Sequence, residues 1–164
     1  MDLTETPTLT SSTLTAPTTH CDHQVRSPKR QDHSEGRNAV AWTLPRGPAV
    51  AGQARRLTRE QLSRWLVDDE CRETAMLLVT ELVTNALRHG AGPVGLSWTV
   101  DGSCVRCGVT DDSLRPPRPR PAEPGEESGR GLQLVESLAG DWGHHFVPRG
   151  KVVWFELSAH ASPT

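Results

Sequence analysis

Glu81 and Asn85 stand four residues apart in the run Glu81-Leu-Val-Thr-Asn85-Ala-Leu-Arg88-His89. On a helix this spacing puts a carboxylate and an amide on one side, and Arg88 and His89 extend the same stripe. A carboxylate so placed can take a proton from a hydroxyl or water, and an amide oxygen is a hard ligand suited to Mg²⁺. The structural alternative is the ordinary polar face of an amphipathic helix. Asp111 ends the alternation Val105, Cys107, Val109 and can accept hydrogen bonds from an exocyclic amine, or simply form an Asx turn with Asp112 and Ser113. Gly129-Arg130-Gly131 precedes Leu132, Leu134 and Val135 at an expected helix start. Glycines there let backbone amides approach a phosphate, and the helix terminus favours negative charge. Ser128 as a cap is the plainer reading. The chain carries no GxxxxGK[ST] loop and no HRD or DFG element.

Other candidates are weaker. Cys104 and Cys107 are spaced CxxC, but a three-residue offset along one strand sends the thiols to opposite faces, and no second pair exists to complete a zinc site. His20, Cys21 and His23 fall in a polar segment and give fewer ligands than the four of a structural site. The tryptophans at 42, 65, 98, 142 and 154 fit helical or strand patterns, so core packing is their expected role. His144 and His145 lie in an expected strand without a partner motif.

The elements that must hold these groups follow from periodicity. Val40, Trp42 and Leu44 alternate as a strand that Pro45 ends. A helix opens at Pro48 and carries Val50, Ala54, Leu57, Leu62, Trp65 and Leu66 to about Val67. The second helix is expected over residues 72–89, stopped by Gly90 and Gly92. Val94, Leu96, Trp98 and Val100 form a strand that Asp101-Gly102 turns into its partner. A proline-rich stretch, residues 114–128, forms a long loop. A short helix follows, then two strands around residues 142–147 and 151–157. This order implies an α+β fold, a two-layer sandwich of mostly antiparallel sheet with helices on one face.

Residues 1–38 hold eight Thr before position 20 and few apolar groups, so they are expected to form a disordered tail. The folded domain is expected over 39–158, with 159–164 as a C-terminal tail. In 164 residues, 18 Lys+Arg face 20 Asp+Glu, a net charge of -2. That balance argues against a general nucleic-acid binder. No apolar run reaches the roughly 18 residues of a membrane span, and Asp2 and Glu5 stand where a secretory signal would be basic. The expectation is a soluble cytoplasmic protein with free thiols.

Taken in order, Glu81-Leu-Val-Thr-Asn85-Ala-Leu-Arg-His89-Gly90, then Asp111-x-Ser113, a loop, and Gly129-x-Gly131-Leu132 resembles the N, G1 and G2 boxes of the GHKL (Bergerat-fold) ATPases. Trp42-x-Leu44-Pro45, Ala54-Arg55-Arg56 and Val152-Val153-Trp154-Phe155-Glu156-Leu157 look like the anti-sigma-factor serine/threonine kinase branch, in its short actinobacterial form. The resemblance covers about residues 40–158. It implies ATP and Mg²⁺ as cofactors, Asn85 as the Mg²⁺ ligand, and Glu81 as general base on a protein serine. It implies that Asp111, with Ser113 in its box, meets the adenine amine. Gly129 and Gly131, in a nucleotide-binding box with Leu132, would place backbone amides on the phosphates, and a lid over about 112–128 would cover the nucleotide. The position of Arg130, apart from the resemblance, suits added charge near the γ-phosphate. The implied partners are a sigma factor and an anti-sigma-factor antagonist protein, with a homodimer usual in the family. Where many relatives read DxGxG, this chain has Asp111-Asp112-Ser113-Leu114-Arg115. That departure favours, as the alternative, a nucleotide-dependent binding module without phosphotransfer.

Overall fold

The computed structural model describes residues 38–118 and 130–160, with Arg130 as backbone only. Of the expected features, the tail through residue 37, the lid from residue 119 onward, Gly129 and the last four residues lie outside the described residues. Eight elements follow one another: β1 (Asn38–Leu44), α1 (Val50–Arg64), α2 (Asp69–His89), β2 (Val94–Asp101), β3 (Cys104–Asp111), α3 (Arg130–Leu138), β4 (Asp141–Val147) and β5 (Gly150–Ser158). The strands form one antiparallel sheet in the order β1-β2-β3-β5-β4. The expected α+β sandwich is what the chain forms.

Alternation decides which strand residues face the helices. Leu96, Trp98, Val105, Cys107, Val109, Val153 and Phe155 pack inward, against Ala54 and Leu62 of α1, Leu78, Leu82 and Val83 of α2, and Leu132 and Val135 of α3. Helix α2 occupies the centre, touching α1 on one flank, α3 on the other and three strands beneath. Trp98 is fully buried; its indole Nε1 donates to Thr58 Oγ1 at 3.1 Å and its ring meets Phe155 edge-on at 5.7 Å. The one polar tip this residue takes into the core is thereby satisfied. Trp154 does not share that role. It falls on the opposite sheet face, outside the helix-packed core, where the Arg106 guanidinium lies 3.9 Å above its ring and pairs with Glu156 at 2.8 Å. Cys104 is exposed and Cys107 buried on β3, which places the CxxC thiols on opposite faces.

Helix α1 begins at Val50 rather than Pro48, after a turn closed by Val50 N donating to Gly47 O at 3.2 Å. Two further helix boundaries differ from the periodicity reading, each for a capping reason. Helix α2 starts at Asp69 rather than Arg72 because Asp68 caps it, its Oδ1 accepting from Cys71 N at 2.9 Å. That bond, foremost, holds the Asp68 carboxyl below its ordinary range. Asp68 Oδ2 accepts from His160 N at 2.7 Å, tying the chain beyond β5 to the start of α2. Helix α1 ends at Arg64 rather than Val67. Val67 N reaches Leu62 O and Leu66 N reaches Ser63 O, a Schellman closure that turns Val67 inward. Leu66 therefore takes φ 57° at a position that glycine usually fills, with its side chain 80% exposed. Left-handed strain of about 1–2 kcal/mol should outweigh glycine's unfolded-state entropy of about 0.4–1 kcal/mol. Leu66→Gly is thus expected to raise the urea midpoint, and a lowered midpoint would refute this account of the helix end. No helix among the described residues is long and apolar enough to cross a membrane.

Candidate functional site

The register that pairs β3 with β5 sets Asp111 opposite Lys151 at one end of the sheet. Both point to the helix side, where α2 overhangs the strand ends and α3 begins. A cavity of about 330 Å³ opens there, within the range of small-ligand sites. Its walls come from Leu82, Asn85, Arg88 and His89 of α2, Val109 and Asp111 of β3, Arg115 to Arg118 of the following loop, Gly131 and Leu132 of α3, and Lys151 and Val153 of β5. Leu82, Val109, Leu132 and Val153 form an apolar slot, the Asp111 carboxylate provides an acceptor, and Arg88, Arg115 and Arg118 are exposed cations. A flat heterocycle with a donor at its edge and an anionic tail matches that distribution.

Asp111 is 6% exposed and Lys151 4%. Asp111 Oδ1 accepts from Lys151 Nζ and from Ser113 N, both at 2.8 Å. The Asx turn and the inward-facing acceptor, alternatives in the sequence, coexist. Ser113 serves through its backbone, and its Oγ accepts from Arg115 N at 3.2 Å; its side chain is not part of the cavity wall. Lys151 was not legible as a site residue. Its signal was slight: one of two lysines in a chain with 16 arginines, at an inward position of a strand. Its charge reaches His144, whose imidazole is pushed below its ordinary range by burial first, then by Lys151 and His145.

Asn85, Asp111, Gly131 and Leu132 share the cavity wall. Glu81 stands one turn before Asn85, half-buried and behind the wall, beside the first turn of α3. A Cβ at Gly131 would sit 2.6 Å from Glu81 Oε2, so a larger residue there would push the carboxylate from its place against α3. Arg130 opens α3. Among the described residues no three His, Cys, Asp or Glu gather as a metal cage. The Asn85 amide oxygen in the cavity wall fits Mg²⁺, which is usually held by few protein ligands together with substrate phosphates.

Asp112, unremarkable in sequence, fixes the loop after α2. Its carboxylate accepts from Ala91 N at 2.7 Å and Gly92 N at 2.9 Å. The Ala91 bond, foremost, holds its carboxyl below the ordinary range, with Gly92 and Arg46 adding to it. Arg46 in turn donates to the Leu87 carbonyl at the end of α2. A Cβ at Gly90 would lie 2.7 Å from Asp112 Oδ1, so this approach needs glycine. The two adjacent aspartates divide the work: Asp111 faces the cavity, and Asp112 anchors the helix end that carries Asn85.

Among solved structures, the fold matches that of the RsbU and RsbW domains of Rv1364c from Mycobacterium tuberculosis, with a TM-score of 0.58 and 19% identity. The match covers 74% of this chain but 32% of that one, so this chain spans about a third of its neighbour's length. No curated protein shows significant sequence similarity. The model of the histidine kinase-like ATPase domain matches residues 44–157, a span that holds the cavity and every element around it. The chain belongs to the histidine kinase-like ATPase domain family.

Proposed function

We propose that the chain binds ATP with Mg²⁺ in the α2–β3–α3–β5 cavity and acts as an anti-sigma-factor-type serine/threonine kinase. In this reading it phosphorylates a serine of an antagonist protein and sequesters a sigma factor. The observation that carries the nucleotide part is an apolar slot ending on a buried carboxylate, with Asn85 in its wall and Glu81 one helical turn away. Asp111 accepts the adenine amine through Oδ2. Backbone amides at the start of α3, Gly131 among them, meet the phosphates, joined by Gly129 and Arg130 from the sequence pattern. Asn85 holds the metal through its amide oxygen, and bound Mg²⁺ supplies charge neutralisation at the phosphates. Glu81 takes the proton of the attacking hydroxyl. The boxes shared with anti-sigma-factor kinases and the likeness in fold to a chain with an RsbW domain support the regulatory setting.

Calorimetry tests the metal assignment. Asn85→Ala removes one oxygen from near-octahedral ligation, and is expected to lose most Mg·ATP affinity while its melting curve stays close to the parent's. Unchanged affinity would take Asn85 out of the site. A second reading, a nucleotide-dependent binding module without phosphotransfer, draws on the first glycine box. Ser113 and Arg115 stand there in place of glycines, and the backbone amides of both are engaged, Ser113 N donating to Asp111 Oδ1 and Arg115 N to Ser113 Oγ. Phosphotransfer by the unaltered protein separates the two.

A further inference from the structure

Asp111 carries two hydrogen bonds, and both fall on the same oxygen. Lys151 Nζ and Ser113 N each donate to Oδ1 at 2.8 Å. An ionised carboxylate has about four acceptor sites over its two oxygens, so Oδ1 is filled by the protein and Oδ2 is the oxygen for a ligand. One oxygen suits one exocyclic amine, as on a 6-aminopurine. Guanine presents two adjacent donors, its ring N1–H and its 2-amino group, and a carboxylate reads them best with both oxygens. An ammonium beside the base edge would also suit the guanine carbonyl, so Lys151 does not discriminate through its charge. It discriminates by occupying Oδ1.

Resting on the nucleotide-site reading above, we propose that Lys151 is a specificity-determining residue: by holding Asp111 Oδ1 it leaves a one-donor acceptor that admits adenine and refuses guanine. The buried position suits this task. At 4% exposure and on the inward register of β5, the lysine stands in the cavity wall with its ammonium on Asp111. Loss of a donor from a buried polar site is costly to the group left unpaired, which is how such sites reject near-isosteres.

The test is a set of calorimetric titrations with the magnesium salts of ATP, GTP and ITP. ITP keeps the guanine carbonyl and ring N–H but lacks the 2-amino group. The unaltered protein is expected to prefer ATP over GTP by about 100-fold or more. It is expected to bind ITP at least about tenfold more tightly than GTP, because inosine offers the single donor that Oδ2 can take while the 2-amino group of guanine is left unpaired. Lys151→Met, titrated at mildly alkaline pH, frees one site on Oδ1 and should reduce the ATP preference to less than about tenfold. A preference unchanged in Lys151→Met would overturn the proposal while leaving the ATP site standing. So would GTP binding to the unaltered protein as tightly as ITP or more tightly, and this comparison decides alone if Lys151→Met does not fold. Failure of the unaltered protein to bind any of the three would instead sink the nucleotide site itself, and the role of Lys151 with it.

Discussion

Glu81→Gln is expected to transfer phosphate to an antagonist serine at least about 100-fold more slowly than the unaltered protein, while ATP affinity changes little. A general base contributes typically about 10²–10⁴-fold to rate and little to ground-state binding. Glutamine keeps the shape that packs against Gly131, where space is so limited that a Cβ would meet the carboxylate at 2.6 Å. The substitution thus removes proton-accepting capacity and leaves the packing of α2 on α3. A phosphotransfer time course beside an ATP titration of the same preparation measures both quantities. Equal rates in variant and parent would put the base elsewhere. Absence of transfer by the parent to any antagonist would favour the binding module.

The largest effect on folding is expected at Gly150. Its φ is 152°, and a Cβ there would overlap the carbonyl oxygen of Asp111 and lie 2.7 Å from Asp112 Cα. Gly150→Ala therefore combines backbone strain with a clash against main chain, which cannot swing aside as a side-chain tip can. Strain of this kind costs about 1–3 kcal/mol and overpacking about the same, together about 2–6 kcal/mol. The start of β5 should separate from the end of β3, taking Lys151 from Asp111. Urea denaturation reads the first effect and nucleotide titration the second. A variant within about 0.5 kcal/mol of the parent that still binds nucleotide would show that β5 enters the sheet with room to spare.

What could be read from the residues alone followed the range of the interaction concerned. Glu81 and Asn85 were legible because the helical period fixes their relation locally, and Asp111 because it ends a strand. Their shared neighbourhood also follows from three ordered boxes. Lys151 was hidden because its partner lies 40 residues away in sequence, and strand register, not local spacing, brings them together. Asp112 was hidden likewise: its acceptor role depends on the loop at 90–92 reaching it across about 20 residues. Trp154 fits a strand pattern equally well on either face, and only the sheet's helix-covered side decides. At Leu66 the residue type pointed away from the left-handed conformation, and burial of Val67 prevailed over local preference.

The last strand among the described residues, β5, is not at the edge of the sheet. β5 inserts between β3 and β4, so the cavity stays without its centre until that strand is in place. Until then β3 has one open edge and β4 no neighbour, and Asp111 is a carboxylate without its lysine. Completion of the cavity thus depends on the one strand that joins β4 to the rest of the sheet. A chain cut before β5 would lack Lys151 and Val153 and offer no finished pocket.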